Sequence, residues 1–234
     1  SNYNYVPSYV GGFRAPPPQP ANGNFGSAYE INWLNENTLN YILAFGPHNL
    51  SLLLGYTVQK DHYDYNQTNG SNYPNDDLHD VGAATVVTAS SDIEEWTMIS
   101  YLGRLNYNYK DKYLLSGALR SDGSSRFAPG NKWSLFPSIS AGWRIFNEKF
   151  FPQQGILSDL KIRASYGVAG NNNIGNYRYI PTIGSSNYQF NGNFVSGTAL
   201  SSLANNQLSW ELSRQMDVGL DAGFLSGRVT LTVD

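Results

Sequence analysis

The most constraining feature of this chain is strict alternation of apolar and polar residues, which only a strand with one wet and one dry face can use. From Leu208 to Phe224 the even positions read Leu208, Trp210, Leu212, Arg214, Met216, Val218, Leu220, Ala222 and Phe224, and the odd ones are polar, charged or Gly. Arg214 is the one misfit. Leu160–Val168 repeats the pattern, with Leu160, Ile162, Ala164, Tyr166 and Val168 facing one way and Lys161, Arg163, Ser165 and Gly167 the other. Helical periodicity is confined to a short stretch around Asn147–Phe151, which Pro152 ends. The chain is therefore expected to be all-β.

Eight runs are predicted as strands: 37–46, 50–60, 96–109, 113–121, 133–146, 160–168, 208–224 and 228–234. Pro47-His48-Asn49, Lys110-Asp111-Lys112 and Leu225-Ser226-Gly227 read as tight turns, and 147–159 as a longer one with a helical turn. Between these lie long connections, 61–95, 122–132 and 169–207, and residues 1–35 read as one further loop. Every second connection is long, so all the long ones leave one end of an antiparallel sheet. Such loops do not suit an ordinary compact domain, but they suit an outer-membrane barrel with short periplasmic turns and long extracellular loops.

Composition supports that choice. Charged residues are only 14% of the 234, while 17 Tyr, 11 Phe and 5 Trp make up another 14%. A band of wall against lipid cannot carry charge cheaply. On Trp133–Phe146 the odd face reads Trp133, Leu135, Pro137, Ile139, Ala141, Trp143 and Ile145. The two Trp are separated by about 33 Å of strand. A tilt of about 40° projects that to about 25 Å, the height between the aromatic girdles of a barrel. Lys161, Arg163, Arg104, Arg120, Glu211, Asp217 and Asp221 fall on the other face. A β-sandwich would turn that face to bulk water and a barrel would turn it to a lumen; the sequence leaves both open. The absence of Cys excludes disulfide scaffolds and Cys nucleophiles, and a net charge of −3 gives no footprint for nucleic acid.

Tyr101-Leu102-Gly103-Arg104-Leu105-Asn106-Tyr107, Asp111-Lys112-Tyr113-Leu114-Leu115 and Arg120-Ser121-Asp122-Gly123-Ser124-Ser125-Arg126-Phe127 lead into Trp133-Ser134-Leu135-Phe136-Pro137-Ser138 and Gly142-Trp143-Arg144-Ile145. This succession closely resembles the barrel of SusC/RagA-type TonB-dependent outer-membrane transporters. Leu160–Gly167 with Gly170–Gly175, Leu208–Glu211 and Asp217–Asp221 resemble later blocks of the same family. Upstream, Glu36–Leu39 and Gly55–Thr57 fit as well, while residues 1–32 match loosely. The resemblance implies about eight strands of a larger, roughly 22-stranded barrel, with the N-terminal plug and TonB box not in this chain. It also implies TonB as energy source, a SusD-like lipoprotein lid, the lipid bilayer as surroundings, and an oligosaccharide or peptide as cargo. An opening without initiator Met and a close inside the alternating run Arg228–Asp234 lead to the expectation of a piece of a longer precursor. Two rival readings are a passive porin or small outer-membrane barrel, and a soluble β-sandwich carbohydrate-binding module.

No catalytic constellation emerges, and neither enzyme activity nor a cofactor is expected. His48 reads as a solvated turn residue, Asp76-Asp77-Leu78-His79-Asp80 as a solvated acidic loop without metal-ligand spacing, and Glu94-Glu95 as loop or rim residues, since adjacent strand residues would face opposite sides and make no carboxylate pair. Ser121–Arg126 reads as a hairpin tip with Asp-Gly turn chemistry, Gly170–Gly175 as a turn, and Ala15–Pro20 as a polyproline-type loop. Recognition is expected in the external loops, where Tyr63, Tyr65, Tyr73, Tyr177, Tyr179, Tyr188, Phe190 and Phe194 sit among Asn, Gln, Ser and Gly. Flat aromatic faces and amide donors suit sugar rings or peptide backbones.

Overall fold

A computed structural model describes residues 1–10, 18–152 and 155–234. Nine strands form one antiparallel sheet and two more form a separate hairpin. They are β1 (Asn2–Val6), β2 (Asn22–Phe45), β3 (His48–Ser71), β4 (Val86–Tyr109), β5 (Tyr113–Ser124), β6 (Trp133–Arg144), β7 (Leu157–Asn171), β8 (Thr182–Phe190), β9 (Asn193–Ser202), β10 (Glu211–Phe224) and β11 (Val229–Val233). The order β1-β2-β3-β4-β5-β6-β7-β10-β11 follows the sequence, as in a meander, and the sheet is not closed on itself. All eight expected runs are strands, and the connections alternate short and long as the sequence reading requires.

Three expectations need correction. Residues 1–35 are not one loop, because β1 pairs with β2 from Asn2↔Gly26 to Val6↔Asn22. The stretch 61–95 is mostly strand: β3 and β4 each run 24 residues, and only 72–85 connects them, through a single 3-10 turn at Val81–Ala83. The sequence had placed boundaries where alternation of hydrophobicity faded. A strand running through polar surroundings on both faces keeps its ladder but loses that alternation. Likewise 169–207 contains the β8–β9 hairpin, with the polar rungs Ser185↔Thr198, Asn187↔Ser196 and Ser186↔Gly197. The polyproline stretch lies in part outside the described residues.

Contacts divide the chain into two units: Ser1–Trp33 with Lys60–Trp96, and Leu34–Gln59 with Thr97–Asp234. In the first, Asp76 clasps the N-terminal segment. Its carboxylate accepts from the Ser8 hydroxyl at 2.6 Å, the Ser8 amide at 2.8 Å and the Tyr5 hydroxyl at 3.2 Å. Tyr3 donates to the carbonyl of His79, whose ring lies 4.5 Å from that of Tyr5. The expected solvated acidic loop is thus a packed tie, and the two Ser8 bonds hold the Asp76 carboxyl below its ordinary range. Nearby, the buried Asp61 carboxylate accepts from Asn32, and Glu95 meets both Lys60 at 3.2 Å and His62 at 2.8 Å.

In the second unit, lateral register aligns two kinds of row. Leu105↔Gly117, Gly117↔Ile139, Ile139↔Tyr166 and Tyr166↔Met216 make one row across five strands, with Leu105, Ile139, Tyr166 and Met216 all exposed. The alternate row, Asn106, Ser116, Ser140, Ser165 and Asp217, is wholly polar. One face is therefore apolar across its middle and open to the surroundings. Aromatics bound it at both ends. Tyr109, Tyr113, Trp143, Ile162 and Leu220 are lateral partners at the short-turn end, and at the other Tyr101 stacks at 5.9 Å on Trp133 and packs with a tilt at 5.3 Å against Tyr56. A soluble sandwich would bury that face under a second sheet; among the described residues no second sheet covers it. Arg214 lies opposite Val168, four residues into β10 at the long-loop end, where a charge near the interface costs little.

The short turns are laced together. The Lys110 amide donates to Pro47 O at 2.8 Å, Arg144 N to Lys112 O at 2.7 Å, and Leu225 N to Ile156 O at 2.7 Å. His48 is not a free turn residue. It begins β3, stacks on Phe45 at 4.8 Å, and its Nδ1 sits 2.7 Å from the Tyr107 hydroxyl. Glu148, in the turn after β6, accepts from Lys112 Nζ at 2.8 Å, the Tyr113 hydroxyl at 2.7 Å and Trp143 Nε1 at 3.2 Å. The Lys112 bond first, then those from Tyr113 and Trp143, hold its carboxyl at about 2. Its folded-state pKa is depressed, so its stabilisation is complete above the unfolded value of about 4.3 and fades as pH falls toward the folded one. The denaturant midpoint of Glu148→Gln should accordingly show less loss between about pH 4 and pH 2 than the parent. Parallel acid profiles for the two would refute this role.

At the long-loop end, Phe127 (0% exposed), Phe136 and Trp210 (8%) form the buried cluster, flanked by Met98, Val168, Ile174 and Leu208. Ser121–Arg126 is a further correction. Asp122, Gly123 and Ser124 lie in β5, opposite Ser100, Ile99 and Met98. Gly123 is there because the Trp133 ring lies on it, 2.6 Å from where a Cβ would stand.

Candidate functional site

The candidate tyrosines fall into two groups, one in each unit. In the first, Tyr63 and Tyr65 are strand residues on β3, two apart, so their side chains emerge on one face. Their rings are nearly parallel, at 5° with centroids 6.4 Å apart. The Tyr65 hydroxyl donates to Gln67 Oε1 at 3.2 Å. Tyr65 and Gln67 line a shallow cavity of about 310 Å³ with Ser1, Asn24, Gly26 and Ala28. That is a platform of aromatic faces beside amides and small residues. Tyr73 differs: its ring packs edge-on against Tyr5 at 5.1 Å, its hydroxyl is buried, and burial raises its pKa. Much of its surface is committed to packing.

In the second unit, Tyr177 and Tyr179 sit in the turn 176–179 that follows β7, with Tyr177 exposed at a φ of 59°. Tyr188 is on β8, exposed, with its ring against Gly197 across the hairpin. Phe190 and Phe194 flank the hairpin tip and are also exposed. Five of the eight candidates expected in loops, Tyr63, Tyr65, Tyr188, Phe190 and Phe194, therefore lie on strands. Regular backbone fixes their spacing, which a flexible loop would not.

The sequence reading missed two things. Phe25, Tyr29, Ile31 and Trp33 alternate along β2 and are all exposed. The signal was present as a period of two, but it was hidden inside a segment taken for loop. The second is a groove of about 480 Å³, walled by Asn49, Asn106, Ser140, Lys161, Arg163 and Asp217 of the polar face and by the apolar side chains of Ile42, Leu50 and Leu114. Lys161 and Arg163 both reach Asp221, at 3.5 and 3.4 Å, and Arg163 also pairs with Asp234. No group of His, Cys, Asp and Glu able to hold a metal occurs among the described residues. Chemically, this face offers amides, hydroxyls and paired charges, which suits wetting and weak polar contact more than bond-breaking.

All 234 residues match the family described as TonB dependent receptor-like, beta-barrel. TonB-dependent receptor P3 of Formosa agariphila is 35% identical over 206 residues, covering 87% of this chain and 21% of that protein. TonB-dependent receptor SusC of Bacteroides thetaiotaomicron is 34% identical over 212 residues, covering 88% and 21%. The chain thus spans about a fifth of the length of these relatives. Among solved structures, the RagAB peptide importer in its closed-closed state superposes with a TM-score of 0.85 at 24% identity, covering 98% of this chain and 25% of the other. That likeness establishes the fold.

Proposed function

Because this chain belongs to the TonB dependent receptor-like β-barrel family, we propose that it builds part of the wall of an outer-membrane transporter that takes up oligosaccharides or peptides. Energy comes from TonB, acting through parts of the protein outside this stretch, and a SusD-like lipoprotein covers the mouth. In this reading the short turns at 46–47, 110–112, 145–156 and 225–228 face the periplasm, and the long connections face outward. The observation that carries it is the apolar face between two aromatic girdles, backed by a face whose central row is wholly polar. A lipid-facing wall around a wet lumen needs that combination.

The residues of this stretch do not perform chemistry in this scheme. Tyr63, Tyr65, Tyr177, Tyr179 and Tyr188 offer ring faces to cargo, and Tyr73 offers at most an edge. The test is uptake of labelled oligosaccharides and labelled peptides by cells carrying the full-length receptor, with and without TonB. Uptake that ceases without TonB is the expected result, and undiminished uptake would return the protein to the passive-porin class. Replacing Tyr63 and Tyr65 together by Ala should weaken cargo binding by about 1–2 kcal/mol, roughly 5- to 30-fold. An unchanged affinity, measured by calorimetry on the purified receptor, would remove the platform from the site.

A further inference from the structure

The β8–β9 hairpin stands apart from every other strand. It forms its own two-stranded sheet, and among the described residues no third strand joins either side. Asn191 and Gly192 close it with φ of 53° and 81°, a type I′ turn, with Phe190 opposite Asn193. In a two-residue hairpin the flanking pair is hydrogen-bonded, and bonded and non-bonded pairs then alternate. The backbone groups of Tyr188, Ser186 and Gly184 therefore point at β9. Those of Gln189, Asn187 and Ser185 point away from it, along with those of Phe194, Ser196 and Thr198 on the other strand. Each edge thus presents a row of donors and acceptors at every second residue.

Natural sheets protect such edges with Lys, Pro, bulges or inward charges. Here the 21 residues from Thr182 to Ser202 contain no Asp, Glu, Lys, Arg or Pro. The one irregularity in register lies between Thr182 and Ile183, at the base, and leaves the rest regular. Apolar side chains are exposed on both faces: Phe194 (84% exposed), Ile183, Phe190, Leu200 and Tyr188. A hairpin of two strands is marginal in water without further pairing. An edge without charge or proline, on strands of nine and ten residues, is a built acceptor for another extended chain.

The geometry points to this hairpin as a β-strand-accepting site whose occupant is an extended peptide, uncharged over the paired stretch and bound as a third strand. The occupant is a peptide and not a glycan because the unsatisfied groups are backbone N–H and C=O at strand spacing, which only another backbone matches along its length. Lack of charge on the edge favours an uncharged partner segment, and recognition through backbone makes it tolerant of sequence. This inference rests on the import reading and narrows its cargo.

The test uses the purified full-length receptor and a capped nine-residue peptide alternating Thr and Val. Controls are the same peptide N-methylated at alternate residues and maltoheptaose. The parent peptide is expected to bind, with at least a tenfold loss on N-methylation in the register that blocks its donors. Asn187→Pro and Ser196→Pro each remove one outward donor while leaving the hairpin's own bonds; one of them should cost at least tenfold, and which one identifies the edge. Peptide binding indifferent to N-methylation and to both prolines overturns the site, and so does binding of maltoheptaose alone. Concentration-dependent dimerisation that either proline abolishes, without peptide binding, assigns the edge to a second copy and also overturns it. Loss of TonB dependence in the uptake assay would instead strike the import reading, so the two failures are separable.

Discussion

Replacing Ile139 by Arg should destabilise the folded receptor by about 2–4 kcal/mol in a phospholipid bilayer, whereas Ser138→Arg, one residue earlier, should cost well under half of that. Ile139 is 56% exposed and lies between Trp133 and Trp143, near the middle of the apolar face. Its lateral neighbours are Gly117 and Tyr166, so no carboxylate is at hand to pair with a guanidinium. At the bilayer midplane that cost is about 2–4 kcal/mol, and it falls toward the interfaces. Ser138 sits on the opposite face between Ala118 and Gly167, in the row beside the polar one. The measurement is a guanidinium titration of the full-length protein refolded into vesicles. Equal costs at the two positions would mean that lipid does not cover the Ile139 face, and the barrel-wall reading would fall. Met216→Arg, at 76% exposure in the same row, should repeat the large effect.

The contrast between Ile139 and Ser138 shows what was legible in the sequence. Wherever one face meets lipid and the other water, hydrophobicity alternates, and the strands β5, β6, β7, β10 and β11 can be read almost to their ends. Alternation of long and short connections could be read for the same reason, since it follows from where strands stop. What could not be read lies where both faces meet similar surroundings. Beyond Lys60 on β3 the residues are polar on both sides, as in Asp61-His62-Tyr63-Asp64, and the strand leaves no periodic trace. The β8–β9 hairpin is hidden likewise by runs of Ser, Asn and Gly, although Asn191-Gly192 is a strong turn signal. The candidate tyrosines were found by composition. The placement of Tyr63 and Tyr65 on β3 left no periodic trace, and the packing of Tyr73 against Tyr5 joins residues more than 60 apart in sequence, which no local pattern encodes.

The block Ser121–Phe127 illustrates a different limit, and it motivates the second large effect. Trp210→Ala should cost about 3–5 kcal/mol, the range for removing a buried large aromatic. The Trp210 ring packs at 5.2 Å from Phe127 and 5.3 Å from Phe136, and its Nε1 donates to Lys132 O at 2.9 Å. Truncation therefore opens a cavity beside two aromatic rings and also strands a carbonyl. Trp210→Phe keeps most of the volume and loses the bond, so it should cost only about 1–2 kcal/mol. Gly170→Ala tests the same cluster from the other side. A Cβ there would stand 2.1 Å from the Phe136 ring, and Phe136 is held by Trp210, so overpacking of about 1–3 kcal/mol is expected. In the double variant Gly170→Ala with Trp210→Ala, the vacated space should absorb the Phe136 ring and make the combined cost less than the sum. The control is Trp133→Ala, an exposed girdle residue whose loss removes interfacial anchoring without opening a cavity. If Trp210→Ala proved no more damaging than Trp133→Ala in the same vesicle titration, the Phe127, Phe136 and Trp210 cluster would not be what ties the long-loop ends of β5, β6 and β10 together.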